Sequence, residues 1–237
     1  MLVIPAIDLK DHKVVRLCQG QMDQENIYSD SIVDTAKSWV EQGAKRLHIV
    51  DLNAAFAGEP FHLKEITELA STFPQIEFQV GGGIRDLDTI SKYINAGISY
   101  CILGTVAVKK PEIVHKACEL YPNKIILGVD AKDGQVKTEG WGEQSSVRAT
   151  VLLQKFLNVS LESVVYTDIS KDGMLQGMNF DQITEVSQCG IPIIASGGLT
   201  DLEDIKQLNT MSNIHGVIAG KAIYEKRFSL SDALALG

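Results

Sequence analysis

The 237-residue sequence is short of several things, and each shortage narrows the choice. No apolar run approaches the roughly 20 residues needed to cross a bilayer, which excludes a helical membrane protein. Basic residues are outnumbered, 22 against 30 acidic, for a formal net charge of −8. That balance argues against broad nucleic-acid binding, which draws on a basic face to release phosphate counterions. The four cysteines (Cys18, Cys101, Cys118, Cys189) form no C-x-x-C pair, so neither a disulfide framework nor a zinc ribbon is indicated. Buried, reduced thiols of a cytoplasmic protein are the expectation. The five histidines show no H-E-x-x-H or other metal-ligand spacing, so no metal is expected. The opening MLVIPAIDLK has no basic segment and carries Asp8, so it reads as a first strand and not as a secretory leader.

With 45% hydrophobic and 22% charged residues, the composition is that of a globular chain with a sizeable core. Short Val- and Ile-rich runs predict strands at Leu2–Ile7, Arg46–Val50, Ile76–Val80, Tyr100–Leu103, Lys124–Val129, Ser163–Thr167, Pro192–Ala195 and Gly216–Ala219. Runs of this kind suit strands buried on both faces. Amphipathic spacing predicts helices between them, over Ser31–Gln42, His62–Phe73, Leu87–Asn95, Pro111–Leu120, Val147–Leu157, Phe180–Ser187, Leu202–Leu208 and Leu230–Leu236. Asp86 and Asp201 stand where N-caps belong, and Gly43 where a helix ends. Eight strand–helix units imply an α/β fold, a single (β/α)8 TIM barrel over residues 1–237. An open doubly wound sheet is the alternative, weakened because no G-x-G-x-x-G follows the first strand.

The chain also repeats itself. Ile7-Asp8-Leu9-Lys10-Asp11 parallels Val129-Asp130-Ala131-Lys132-Asp133 at an offset of 122 residues. Gly82-Gly83-Ile84-Arg85-Asp86 parallels Gly197-Gly198-Leu199-Thr200-Asp201 at 115, and Ile102-Leu103-Gly104-Thr105 parallels Ile218-Ala219-Gly220-Lys221 at 116. Three matches in one order at nearly one offset predict two repeated half-barrels, about 1–121 and 122–237.

In such a barrel, chemistry gathers where the strands end. Gly82 and Gly83 with Gly104 and Thr105 would form one phosphate cradle. Gly197 and Gly198 with Gly220 and Lys221 would form the other, since backbone without Cβ approaches a phosphate closely and helix starts favour anions. A lone glycine pair commonly makes only a tight turn; two pairs related by a repeat point to an elongated bisphosphate. Between the cradles the repeat places Asp8 and Asp130 at the ends of opposed strands, suited to passing protons as base and acid. Each alone would read as a helix cap or a loop salt bridge. His48, Asp51, Thr167 and Asp168 also end strands, and the segment Asp168–Gly173 leads to Gly177, which joins the second cradle. Arg85, beside the first cradle, is a candidate substrate partner, or else a surface ion pair. Trp141, in Glu139-Gly140-Trp141-Gly142, is a stacking residue or a loop plug. The loops around Arg16–Tyr28 and Gly134–Ser145 border the mouth.

Ile4-Pro5-Ala6-Ile7-Asp8-Leu9-Lys10, Val14-Val15-Arg16-Leu17 with Gln19-Gly20, and Val80-Gly81-Gly82-Gly83-Ile84-Arg85 resemble the phosphoribosyl isomerase family of histidine biosynthesis. So do Leu103-Gly104-Thr105-Val106-Ala107, Tyr166-Thr167-Asp168-Ile169, Asp172-Gly173 and Ala195-Ser196-Gly197-Gly198. The likeness runs through essentially the whole chain. It implies an Amadori rearrangement of a phosphoribosylformimino aminoimidazole carboxamide ribotide to its ribulosyl isomer, on a substrate with a phosphate at each end. By the same resemblance Asp130 is the general acid that opens the ribose ring and Asp8 the base that removes the C2 proton. Thr167 orients the acid, His48, Arg85 and Arg16 position the substrate, and no cofactor is required.

The sequence departs from the family pattern at His12, at Asn53-Ala54-Ala55 and at Lys226, all loop or helix-edge positions. Three other readings stay open: the sister cyclase, whose first strand typically reads Cys-Leu-Asp where Ala6-Ile7-Asp8 stands here; an isomerase also acting on phosphoribosyl anthranilate; and a non-catalytic phosphosugar-binding barrel. A monomer is expected.

Overall fold

The computed structural model describes residues 1–18 and 21–237, so Gln19 and Gly20 of the opening motif lie outside the described residues. Eight parallel strands follow one another along the chain: β1 (Leu2–Lys10), β2 (Arg46–Asp51), β3 (Glu77–Gly81), β4 (Tyr100–Leu103), β5 (Ile125–Lys132), β6 (Leu161–Asp168), β7 (Ile193–Ser196) and β8 (Ile214–Ala219). Their lateral order runs β6-β7-β8-β1-β2-β3-β4-β5, and β5 pairs back onto β6, closing a (β/α)8 barrel. Every predicted strand is found within about three residues of its expected ends, the largest differences being the longer carboxyl ends of β1 and β5. Among the described residues no helix is long and apolar enough to cross a membrane.

The helices lie where the amphipathic spacing puts them, and their starts are chemically marked. Ser31 accepts the Asp34 N–H, Asp86 the Thr89 N–H, and Asp201 forms a reciprocal capping box with Asp204. The exception is the fifth, expected over Val147–Leu157 but helical only over Ala149–Gln154. Val147 and Arg148 belong instead to a strand, Glu143–Arg148.

That strand is half of an antiparallel ribbon with Gln135–Thr138, which follows β5. A matching ribbon, Lys13–Cys18 with Gln21–Ser29, follows β1. The sequence reading treats both regions as loops, because both are rich in polar residues and their apolar runs are very short. Short helices after β2 (Leu52–Ala57), β4 (Thr105–Lys109) and β8 (Lys221–Tyr224) are likewise too brief to show a periodicity.

Two cores result. The larger fills the space between strands and helices, where Cys101 and Cys118 are buried; Cys189 is half-buried. The smaller fills the barrel with Ile4, Ala6, Ile102, Ile126, Val165, Ile194 and Ile218. Strand alternation then decides what stands above it. Ile4 and Ala6 point inward, so Asp8 does too; Ile126 and Gly128 lead in the same way to Asp130.

The opposite end of the barrel is closed by Arg46, only 4% exposed. Its guanidinium donates to Glu77 and Glu162, each at 2.9 Å, and lies 4.2 Å from the Tyr100 ring centre. Burial alone would push the Glu162 carboxyl up. Hydrogen bonds from His215 and Ser163 and the charge of Arg46 outweigh it and hold Glu162 at about 2. A depressed carboxylate stabilises the fold above its unfolded value, and that contribution is lost as pH falls through the folded one. Glu162→Gln is therefore expected to cost about 3 kcal/mol at neutral pH, leaving Arg46 short of a partner. Between pH 4 and 2 the gap to wild type should narrow, which denaturant titrations across that window will read.

Candidate active site

A cavity of about 260 Å³ opens at the carboxyl ends of the strands. It is lined by Asp8, Arg16, His48, Arg85, Asp130, Trp141 and Thr167, and by Gly82, Gly83, Gly104, Thr105, Gly197, Gly198, Gly220 and Lys221. The residues chosen from sequence thus converge, with one exception. Gly177 does not line the cavity; its N–H is donated to Thr200 Oγ1 at 3.0 Å and its carbonyl packs against Gly198.

The arrangement at the centre is a matter of charge. Asp8 Oδ2 accepts from Arg16 Nη1 at 2.5 Å, and Arg16 arrives on the ribbon strand Lys13–Cys18, paired with β1. Asp130 is raised above the ordinary carboxylate range by burial, against hydrogen bonds from Trp141 and Thr167. Thr167 is its lateral neighbour in the β5–β6 register. His48 is buried at the cavity floor, with Nδ1 2.8 Å from Gln79 Nε2. Burial, and then the Arg16 charge, lower it to about 3, so it is neutral at physiological pH.

The residue that sequence reasoning passed over is Asp172. It lines the cavity beside Gly173, whose carbonyl accepts from Lys221 Nζ at 2.9 Å. Burial pushes its carboxyl up to about 6; Arg16 and Lys221 oppose the rise, and Asp8 and Asp130 add to it. Its position in the Asp168–Gly173 run was the available signal, but an aspartate in a loop looks like any turn residue until the fold brings it over the mouth.

Two other strand-end aspartates act on loops and not on the cavity. Asp51 accepts from the backbone N–H of Ala54, Phe61 and His62 and pairs with His62 Nδ1 at 2.9 Å, both side chains fully buried. Asp168 accepts from Ser170 N–H and hydroxyl and from Asn179 Nδ2. These two loops fix the glycines next door. A Cβ on Gly82 would collide with the Asp51 carbonyl, and one on Gly197 would lie 2.5 Å from the Asp168 carbonyl. Both have positive φ, 101° and 87°. Part of the need for glycine here is therefore close backbone packing.

Gly104 is different. A Cβ there meets nothing nearer than 3.7 Å, and it begins the helix Thr105–Lys109 without a side-chain cap. Gly82→Ala and Gly197→Ala are expected to lower stability by about 2 kcal/mol or more. Gly104→Ala should stay within about 1 kcal/mol of wild type yet weaken binding of a phosphorylated ligand. Thermal unfolding and calorimetry of the three variants separate the two effects.

Among the described residues, no group of three or more His, Cys, Asp or Glu side chains is arranged to hold a metal ion. Across known proteins, the family model described as histidine biosynthesis protein matches residues 2–229. The chain belongs to that family. Relatives in the histidine biosynthesis family include the 1-(5-phosphoribosyl)-5-((5-phosphoribosylamino)methylideneamino)imidazole-4-carboxamide isomerase of Acinetobacter baylyi, 50% identical over 237 residues, covering 100% of this chain and 98% of that protein. A protein of the same name from Hahella chejuensis is 50% identical over 236 residues, 98% of this chain and 97% of its own. One from Acinetobacter baumannii is 48% identical over 237 residues, 100% of this chain and 98% of its own.

Proposed function

We propose that this chain is a sugar-phosphate isomerase of histidine biosynthesis. It converts the phosphoribosylformimino aminoimidazole carboxamide ribotide to its ribulosyl isomer by proton transfer between carboxyl groups. The observation that carries the reading is the central trio Asp8, Asp130 and Asp172 around Arg16, between two repeat-related glycine clusters. The name shared by the relatives supports the isomerase over the cyclase.

The clusters around Gly82, Gly83, Gly104 and Thr105 and around Gly197, Gly198, Gly220 and Lys221 take the two phosphates. This spans the substrate across the mouth and leaves the ribose over the aspartates. Asp130 gives its proton to the ring oxygen as the C1–O bond breaks, leaving an open-chain protonated Schiff base. Asp8 then removes the C2 proton, and the electron pair passes through C1 to nitrogen, giving an enolamine. Loss of the C2 hydroxyl proton and protonation of C1 complete the ketone, with no net change in composition. A carboxyl held protonated by its surroundings is the group suited to donate, and burial acts on Asp130 and Asp172 in that direction. Asp172, beside both other aspartates, shares that proton with Asp130. Thr167 and Trp141 orient Asp130, and neutral His48 faces the substrate without adding charge.

No cofactor takes part in this scheme, the small-molecule bisphosphate is the only partner, and the chain acts as a cytoplasmic monomer made of half-barrels about 1–121 and 122–237. The test supplies purified protein with the formimino ribotide, chelator present and no cofactor, and follows product through the downstream cyclase. Turnover is expected. Failure of folded protein, with activity instead on the ribulosyl isomer and ammonia, would overturn the reading.

A further inference from the structure

The tip of the ribbon Gln135–Arg148 has a demanding backbone. Glu139, Gly140 and Trp141 all have positive φ, 53°, 59° and 72°, and two of the three are not glycine. Such residues cost free energy unless neighbouring contacts hold them there. Glu139 supplies those contacts. Its Oε2 accepts from Arg85 Nη2 at 2.9 Å and its Oε1 from Lys109 Nζ at 2.7 Å. Its own N–H donates to Thr105 Oγ1 at 3.0 Å. Arg85 Nη2 in turn reaches the Ala55 carbonyl at 3.2 Å, after β2. The ribbon tip, the loop carrying Arg85 and the helix Thr105–Lys109 therefore meet at one carboxylate, with the segment after β2 tied on through Arg85, two residues from the tryptophan that donates to Asp130.

Neither Glu139 nor Lys109 lines the cavity, while Arg85, Thr105 and Trp141 do. The carboxylate lies behind the wall, where it can fix the wall without touching a ligand. We propose that Glu139 is a positioning residue, latching the ribbon tip to the rim and thereby holding Trp141 against Asp130. This deepens the functional reading above and rests on it for the role of Trp141. The pairs are half-exposed, so the latch is weak enough to release and reform as substrate enters.

The experiment uses the full chain carrying Trp39→Phe, which leaves Trp141 as the only one of two tryptophans. Glu139→Gln, Lys109→Met and the double variant are compared for acrylamide quenching of Trp141, for KM and kcat, and for unfolding temperature. Each single variant should make Trp141 more quenchable and raise KM up to about five-fold, the size that loss of one (Lys109→Met) or two (Glu139→Gln) half-exposed ion pairs can supply, with a smaller change in kcat. The double variant should be no worse than the worse single, because both act on one latch. Unfolding temperature should hold, since the ribbon tip adds little to the core. Unchanged quenching in both singles, or fully additive effects in the double, would overturn the latch. If the parent turns over no substrate, the functional reading fails, and the quenching comparison alone decides the latch.

Discussion

Asp8→Asn is expected to lower kcat by about a thousand-fold or more, the size that follows if Asp8 is the general base proposed above, while substrate affinity should stay within about threefold of wild type. Asparagine keeps the shape of the side chain and an oxygen for Arg16 Nη1, which donates to Asp8 Oδ2 at 2.5 Å. It cannot take up a proton. Because the ion pair with Arg16 sits at the centre of the cavity, the variant still presents a nearly unchanged surface to the sugar. Steady-state kinetics give kcat, and calorimetry with the unreacted substrate gives affinity. Loss of binding in step with loss of turnover would make Asp8 a binding residue, and retained turnover would place the base elsewhere.

The second large effect belongs to the acid side. Asp130→Asn is expected to cost about a thousand-fold in kcat, and Asp172→Asn about a hundred-fold, since the second carboxyl shares the proton that the first delivers. Their interaction gives a pH signature. Asp172 stands at about 6 through burial, with Asp8 and Asp130 adding to the rise against Arg16 and Lys221. Activity that requires a protonated carboxyl should fall as pH rises through about 6, where burial places Asp172. Removing the negative charge at position 130 lowers Asp172, so whatever activity remains in Asp130→Asn should fall at a lower pH. In Asp172→Asn the limb belongs to Asp130 alone and should move down as well. Profiles of kcat/KM against pH for the three proteins read this directly. An unmoved limb in both variants would assign it to another group.

The fold was legible because each of its rules is local and repeated. Runs such as Ile125–Val129 carry no polar residue to confuse the period, and Asp86 and Asp201 announce the helices that follow them. The site was legible mainly through the internal repeat, which turned two ordinary aspartates and two glycine pairs into one arrangement. What was hidden depends on contacts distant in sequence. Asp172 becomes special only when Asp8 and Asp130 are brought beside it. Asp51 looks like a strand-end acid until His62 is seen to fold back on it. The two ribbons escaped because their buried positions are few, Val14 and Val15 in one and Val136 and Thr138 in the other, too short a signal to stand out as strands. Gly82 carries two meanings at once, and its sequence could announce only the first: it borders the cavity, and it leaves room for the Asp51 carbonyl.

The claim on which the rest depends is that Asp8 takes the C2 proton after the acid side has opened the ring. Proton NMR of the ribosyl C2 position, in heavy water with substrate and enzyme at comparable concentrations, observes that proton itself. With wild type the C2 signal should vanish as the ribulosyl product forms. With Asp8→Asn the substrate should bind and the C2 signal persist. Decay of that signal in the variant at the wild-type rate would contradict the account.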